Sequence, residues 1–425
     1  MDAKANTADF ATTVEGWVAP GFEGVRRAFQ ANFDAGSEVG AAFSAYHRGT
    51  KVVDLWGGVA DVTTNRRWDE DTLVLVYSTT KGVTAMCANR LAQEGRLDVE
   101  APVATYWPEF AQAGKESVTV ADLLSHRAGL AWVDGPMTVE EALGWGAVTE
   151  ALARQAPSWP PGTKHGYHAT TYGWLVGEVV RRITGVSIGT YLRQEIAGPL
   201  GAEFYIGLPP EAEPRVARLV SFIDALRSGA RPAASAPGSG PDLHELAKLA
   251  ESFLAPDGPL SKALTAPGGV FGEEGIWDTP ELHQAEIPAA NGICDARGLA
   301  ALYGACVDEV EVPSGRRMRV LTPEQVDRAV RPRTEGPDAV LMGLDLQWGL
   351  GFIVNRGLIE LAGLGGRRAF GHFGMGGSAG WADPDLHLGM GYVMNKMEMG
   401  TTGDTRSFSL MQACIGAVSA AEART

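Results

Sequence analysis

The chain lacks the features that mark secreted, membrane-spanning or nucleic-acid-binding proteins. Its four cysteines are scattered through 425 residues in apolar surroundings, which excludes a disulfide framework and a cysteine-rich metal site. No stretch approaches the ~20 consecutive apolar residues of a membrane span, and residues 1–20 contain no signal-like apolar core. Lys and Arg number 36 against 51 Asp and Glu, giving a net charge of −15. These absences predict a cytoplasmic protein that binds neither nucleic acid nor a membrane, and they carry no signal for an oligomeric state.

The apolar residues that are present predict an α+β fold. Hydrophobic residues make up 45% of the chain and charged residues 20%, as in ordinary globular proteins. The periodicity predicts strands near both ends of the chain and mostly helices between 99 and 330. The clearest predicted helices are 22–33, 171–184 and 406–420, and the predicted strands are 39–46, 52–56, 347–355, 369–373, 378–382 and 388–395.

This order of elements predicts how the chain is divided. Strands from both termini would complete one antiparallel sheet flanked by helices, formed by residues 1–98 together with 335–425. Residues 99–334 would form a mostly helical inserted domain, with a cleft where it meets the sheet. Within the inserted domain, the Ala/Pro/Gly/Ser-rich stretch 229–241 is typical of a mobile surface loop.

Ser78 and Lys81 lie one helical turn apart at the start of a predicted helix. The apolar run 72–77 leads into this segment, and Gly95 is typical of a helix end. At positions i and i+3 the two side chains share a face, and the helix N-terminus favours an alkoxide on Ser78. Burial and the same dipole lower the pKa of Lys81, so that a neutral amine lies beside a hydroxyl. Taken alone, the spacing also occurs as an N-cap serine with a solvated lysine, so other segments must support the interpretation.

Tyr167 is a candidate for a second base. It follows a Pro/Gly-rich loop at 159–166, and a phenol beside Lys81 would share its proton and relay it to a leaving group. The alternative is a buried tyrosine whose hydroxyl is simply hydrogen-bonded. His165 and His168 resemble a pair of metal ligands, but no third ligand is nearby. We interpret them as structural histidines and predict no metal site.

The glycine-dense segment 371–378 lies at a predicted strand. Such glycines let a substrate approach the backbone, where an edge N–H can act as an oxyanion donor, although a twisted edge strand has the same composition. Ser378 within this segment also matches the G-x-S-x-G pattern of α/β-hydrolases. That motif requires a helix after the serine, whereas here a strand is predicted, so we reject Ser378 as the nucleophile.

Six segments together match a known superfamily in order and spacing. They resemble the serine β-lactamase and penicillin-binding-protein superfamily, and are most similar to the class C β-lactamase-like branch that contains family VIII carboxylesterases. The resemblance covers most of the chain and implies a β-lactamase-like fold. The matching segments are VVDLWGGVAD (52–61), the Ser78 motif, LLSHRAGL (123–130), PGTKHGYHATTYGWLVGEVV (161–180), NGICDARGLAALY (291–303) and GHFGMGGSAGWADP (371–384).

The resemblance assigns catalytic roles to four residues. Ser78 occupies the position of the acylated nucleophile and Lys81 that of its base partner. Tyr167 takes the place of the tyrosine in the family's Tyr-x-Asn element. The backbone N–H groups of Ser78 and Met375 would form the oxyanion hole. Chemistry of this kind requires no metal ion or cofactor.

The resemblance also assigns substrate-binding positions, and two residues depart from the family pattern. His372, Phe373 and Gly374 occupy the Lys-Thr-Gly position, with Gly376 beyond them. Because His372 replaces the lysine, a permanent cation for a substrate carboxylate is missing. Ala169 replaces the asparagine of Tyr-x-Asn and removes an amide that would contact a β-lactam side chain. Both departures favour the esterase branch.

The sequence therefore predicts a serine hydrolase that acts on a small-molecule ester. Its acyl-enzyme on Ser78 would carry a small to medium acyl chain. An alternative is a transacylase that passes the acyl group to an alcohol or amine of a metabolite. Amide or β-lactam hydrolysis and an inactive homologue used for binding are further alternatives, and the reactive side chains at 78, 81 and 167 argue against the last.

Overall fold

The computed structural model describes residues 14–220, 255, 257–398 and 400–423. The predicted loop at 229–241 lies outside the described residues. The strands, β1 to β13 in chain order, are Glu15–Val18, Gly40–His47, Thr50–Asp61, Arg66–Arg67, Val74–Leu75, Phe204–Tyr205, Ile293–Cys294, Val310–Glu311, Arg317–Met318, Ile353–Val354, Phe370–Phe373, Ala379–Asp383 and Leu388–Met394. The helices, α1 to α13, are Glu23–Asp34, Thr80–Gln93, Val120–Leu124, Val139–Leu143, Trp145–Arg154, Thr171–Thr184, Ile188–Leu192, Gly198–Leu200, Pro259–Thr265, Pro280–Gln284, Ala296–Val307, Pro323–Ala329 and Thr405–Glu422.

Strands from both ends of the described chain form the main sheet. Its order is β1-β3-β2-β13-β12-β11-β10, with β4 paired to β3, and neighbouring strands run antiparallel. The two chain ends meet where β2 pairs with β13, for example with Phe43 opposite Tyr392. Arg48 and Gly49, both with positive φ, make the tight turn between β2 and β3. The predicted α+β class, with a sheet built from both termini, is confirmed.

Helices cover the two faces of this sheet. A Cβ on Gly389 would lie 2.2 Å from the backbone nitrogen of Gly304, so glycine is what allows α11 to lie directly on β13. Successive strand residues point to opposite faces. Tyr392 therefore points to the face opposite Gly391, where its hydroxyl donates a hydrogen bond to Glu38. Helices α1 and α13 pack together on that face. Helix α11 lies within the predicted inserted segment 99–334, and the predicted domain boundaries stay a prediction.

Two predicted elements differ in extent from the observed ones. The strand predicted over 347–355 is reduced to β10, because Gly351 has a φ of 86° and turns the chain out of the extended conformation. The helix predicted to contain Ser78 begins two residues later, at Thr80. All four cysteines are free and buried, as predicted. Within the described residues, no helix has the length and apolarity needed to cross a bilayer.

Candidate active site

Ser78 lies in a tight turn immediately before the buried helix α2. The preceding residue, Tyr77, has a φ of 44°, a left-handed conformation that interrupts the helical path. The Lys81 N–H donates to the Ser78 carbonyl at 2.9 Å, which places the two residues one turn apart. Eleven of the fourteen residues of α2 are buried, so the helix presents its first turn to the interior. The Ser78 side chain is therefore held at the start of a rigid element.

Lys81 is fully buried and surrounded by three oxygen atoms. Its Nζ lies 3.0 Å from Ser78 Oγ, 2.6 Å from the Ala169 carbonyl oxygen and 2.8 Å from the Ala289 carbonyl oxygen. Burial lowers the pKa of Lys81 well below its ordinary value. A neutral amine has two N–H groups, which the two carbonyls accept, and one lone pair. The remaining neighbour is the Ser78 hydroxyl, so in the neutral amine the lone pair is left for that hydroxyl.

The carbonyl of Ala289 is held in place by contacts that the sequence did not reveal. Thr84 of α2 donates its hydroxyl hydrogen bond to the Pro288 carbonyl at 2.6 Å. Asn291 accepts from the Ile287 N–H and donates to two further backbone carbonyls. A Cβ on Gly173 of α6 would lie 2.6 Å from the Ala289 nitrogen, so residues 287–291 are packed closely between α2 and α6. The one sequence cue was that Asn291 opens a segment matching the superfamily.

Tyr167 lies beside both Ser78 and Lys81. Lys81 Nζ is 4.8 Å from the centre of the Tyr167 ring. The ring itself stacks on Trp348 at 5.6 Å with an interplanar angle of 15°. Burial raises the pKa of Tyr167, and the hydrogen bond with the Ser78 side chain acts in the opposite direction. The structure thus brings together the three side chains that the sequence singled out, and Trp348 is a neighbour that sequence reasoning missed.

The segment carrying Met375 packs directly on the segment carrying Ser78. A Cβ on Gly374 would lie 2.2 Å from both the Val76 carbonyl oxygen and Ser378 Oγ, so only glycine permits this contact. The Gly376 N–H and carbonyl are both engaged in hydrogen bonds. The Met375 N–H, by contrast, donates to no other described residue. It is therefore free to donate, in a segment that packs against the one carrying Ser78.

His372 is buried and uncharged at neutral pH. Its Nδ1 lies 2.7 Å from the Phe373 carbonyl, which can only accept, so Nδ1 carries the proton. Burial, followed by the nearby Lys81, lowers the pKa of His372 to about 3. The Phe373 ring stacks on Trp381 in the core, so residue 373 can meet a substrate only through its backbone. The position held by a lysine in the family pattern thus carries no positive charge here.

The other three residues considered in the sequence analysis, Ser378, His168 and His165, are buried in the surrounding structure. Ser378 Oγ donates to the Val76 carbonyl at 2.8 Å, and a strand rather than a helix follows it. His168 donates from Nδ1 to the Gly166 carbonyl and accepts from the Leu130 N–H, so both ring nitrogens are engaged. His165 Nε2 is buried with no hydrogen bond. Across the part of the chain that the structure describes, no group of three or more His, Cys, Asp or Glu is arranged to hold a metal ion.

Comparison with known proteins places the chain in a family. Residues 25–413 match the β-lactamase family. The chain belongs to that family. It is 35% identical to the esterase/β-lactamase LipL of Mycobacterium tuberculosis (strain ATCC 25618 / H37Rv), over 92% of this chain and 84% of LipL.

Solved structures of β-lactamase-family proteins share the fold. A crystal structure of a family VIII carboxylesterase is 37% identical with a TM-score of 0.78, covering 95% of this chain and 100% of that one. A penicillin-binding-protein homologue from Caulobacter crescentus is 36% identical with a TM-score of 0.79, covering 96% and 100%. The predicted resemblance to the superfamily and its family VIII branch is confirmed.

Proposed function

We propose that this β-lactamase-family protein is a carboxylesterase that forms an acyl-enzyme on Ser78. The observation that carries the proposal is the environment of Lys81, whose two N–H groups are used by carbonyls while its lone pair faces the Ser78 hydroxyl. The esterase names of LipL and of the family VIII relative support ester hydrolysis as the reaction. The predicted cytoplasmic location stays a prediction.

Acylation begins with attack of Ser78 Oγ on the ester carbonyl. The hydroxyl proton passes to Lys81, while the phenol of Tyr167, whose raised pKa keeps it protonated, contacts Ser78. Negative charge develops on the carbonyl oxygen and is stabilised by the N–H groups of Ser78 and Met375. Removing one donor of this kind typically costs about 3–4 kcal/mol in the transition state. Collapse of the intermediate breaks the ester C–O bond, Tyr167 donates its phenolic proton to the departing alcohol, and the proton held by Lys81 replaces it.

Deacylation repeats these steps with water as the nucleophile. The Lys81 amine accepts a proton from water as the water attacks the acyl carbon, and returns that proton to Ser78 Oγ as the acyl bond breaks. The second tetrahedral intermediate uses the same oxyanion donors, and its collapse restores the Ser78 hydroxyl and releases the acid. Each step uses only side chains and backbone groups of this chain.

The surroundings of Ser78 favour uncharged esters of small to medium acyl groups. His372 is neutral and Ala169 has no amide, so two contacts that would hold a carboxylate-bearing β-lactam are missing. Next to Ser78 in the chain, the Tyr77 ring packs against the Trp277 ring, with the ring centres 5.0 Å apart. We expect p-nitrophenyl butyrate to be hydrolysed faster than long-chain esters, and the β-lactam nitrocefin to be a poor substrate.

The proposal is tested by comparing two serines that lie close together. Ser78→Ala should lower p-nitrophenyl butyrate hydrolysis by more than about 10³-fold and abolish labelling by a fluorophosphonate. Ser378→Ala should still label, with mass spectrometry placing the adduct on the peptide that contains Ser78. Full activity in Ser78→Ala, or an adduct on Ser378 in the wild type, would contradict the proposal.

The same acyl-enzyme would also serve transfer to an alcohol or amine. Hydrolysis and transfer differ only in which nucleophile reaches the acyl carbon. Measuring how the acyl group partitions between acid and a new ester, with and without added alcohols, distinguishes the two reactions.

A further inference from the structure

Asp338 is a buried acid that the proposed mechanism does not use. Its side chain is fully inaccessible, and it lies far along the chain from the Ser78 and Tyr167 motifs. One carboxyl oxygen, Oδ1, accepts three backbone N–H groups, from Tyr167 at 3.1 Å, Val340 at 2.8 Å and Leu341 at 2.8 Å. The bonds to Val340 and Leu341 shape the local turn, whereas the bond to Tyr167 spans 171 positions.

Other contacts hold the turn formed by residues 338–341 against the loop that carries Tyr167. The Ala339 N–H donates to the His165 carbonyl at 3.0 Å. A Cβ on Gly166 would lie 3.0 Å from a methyl group of Val340, so the two segments are closely packed. The second carboxyl oxygen, Oδ2, lies 4.0 Å from His165 Nε2, and neither atom has a hydrogen-bond partner. The turn at 338–341 therefore determines where the backbone of residues 165–167 lies.

We propose that Asp338 is a positioning residue for Tyr167, holding its backbone so that the phenol meets Ser78 and Lys81; this rests on the proposed function. The physical reason is that two contacts together fix the position of the Tyr167 ring. Tyr167 is anchored at its ring by Trp348 and at its N–H by Asp338. Loss of the second anchor lets the ring slide along the Trp348 face. A displacement of about 1 Å at a proton-transfer group costs on the order of 10²-fold in rate.

Two substitutions of Asp338 separate the effect of its hydrogen bond to Tyr167 from that of its hydrogen bonds within the turn. In Asp338→Asn the amide oxygen still accepts all three N–H groups, so kcat should stay within about threefold of the wild type. In Asp338→Ser the short hydroxyl can accept from Val340 two residues on, as in an ST-turn, but does not reach Tyr167. We expect Asp338→Ser to fold, to lose kcat by roughly 10- to 100-fold and to change KM by less than about threefold.

Asp383 provides a matched control. It is also buried, and it accepts the N–H groups of residues two and three positions ahead, Asp385 and Leu386, and of distant Gly366. Asp383→Ser removes the same kind of long-range bond at the far end of β12. Asp383→Ser should lower thermal stability by about as much as Asp338→Ser does, while leaving kcat per folded enzyme unchanged.

A double mutant completes the test. If Asp338 acts through Tyr167, then Asp338→Ser should have little further effect on kcat in a Tyr167→Phe background. The proposal is overturned if Asp338→Ser retains wild-type kcat, if Asp338→Asn is as impaired as Asp338→Ser, or if the two losses multiply in the double mutant. Activity in Ser78→Ala would instead refute the esterase mechanism, so the two failures are distinguishable.

Discussion

At the scale of single residues, two buried lysines differ in the one neighbour that the proposed base requires. Lys115 Nζ, like that of Lys81, donates to two backbone carbonyls, those of Gln112 and Gln155. Burial lowers the pKa of both lysines. Only Lys81 has a hydroxyl as its third neighbour. Burial lowers the pKa of each amine, and the third neighbour decides whether a lone pair on it has a proton to take.

Replacing each lysine by methionine tests this distinction. Lys81→Met should slow acylation by about 10²- to 10⁴-fold, the usual contribution of a general base. It also leaves two buried carbonyls unbonded, at a cost of about 1–3 kcal/mol each in the free energy of unfolding. Lys115→Met removes equivalent hydrogen bonds and should destabilise the protein while leaving the acylation rate unchanged. Stopped-flow acylation and urea unfolding measure the two effects; equal acylation rates in both variants would show that Lys81 is not the base.

This comparison also shows which part of the site a sequence can predict. The relation of Ser78 to Lys81 is local, fixed by the geometry of one turn, so their spacing suggests it and the matching segments elsewhere support it. The carbonyls of Ala169 and Ala289 that complete the amine's environment are 88 and 208 positions away. Because they are backbone groups, which every residue possesses, no residue type marks them. The anchoring of Tyr167 by Asp338 was missed for a related reason, since a lone Asp in a loop is common.

At the scale of elements, a buried ionic cluster connects the segment that carries Met375 to helix α13. Arg406 donates to the Gly376 carbonyl at 2.5 Å and to the Lys396 carbonyl at 2.8 Å. It also pairs with Asp404, which caps the helix, and with Glu38. The carbonyl of the residue after Met375 is thus fixed by a helix at the far end of the chain. The predicted strand pattern around 371–382 was nearly correct, but this link between distant ends has no local signal.

Removing the arginine should destabilise the protein strongly. Arg406→Met leaves two carboxylates without their cation, and breaking a buried pair in this way typically costs about 3–5 kcal/mol in the free energy of unfolding. The exposed pair formed by Arg154 and Glu150 serves as a control. Arg154→Met should cost less than about 1 kcal/mol because the pair is solvated. Denaturant unfolding of both variants tests this, and a loss in Arg406→Met no greater than in the control would show that the cluster contributes little.

At the scale of the whole molecule, buried titratable groups of opposite kinds determine how stability depends on pH. Burial lowers the pKa of His168 to about 4 and that of His372 to about 3. Below about pH 6.5 these two histidines therefore bind more protons in the unfolded chain than in the folded protein, so their contribution to stability falls as the solution is acidified. Burial raises the pKa of Glu38 and of Asp295 to about 7. Their protonated forms favour the folded state, and this contribution is lost as pH rises through 7.

These opposing contributions predict a maximum of stability near about pH 5.5, where the protons that the two histidines take up on unfolding equal those that the two carboxyl groups release. We expect the free energy of unfolding, measured by urea denaturation between pH 4 and 8, to fall on both sides of that maximum. Glu38→Gln removes one of the raised carboxyl groups, so its decline above the maximum should be shallower than that of the wild type. His168→Gln should flatten the acid side instead, because the unfolded chain then has one fewer histidine to protonate. A profile that keeps rising through pH 8, with the same slope in Glu38→Gln, would mean that Arg406 keeps Glu38 ionised throughout.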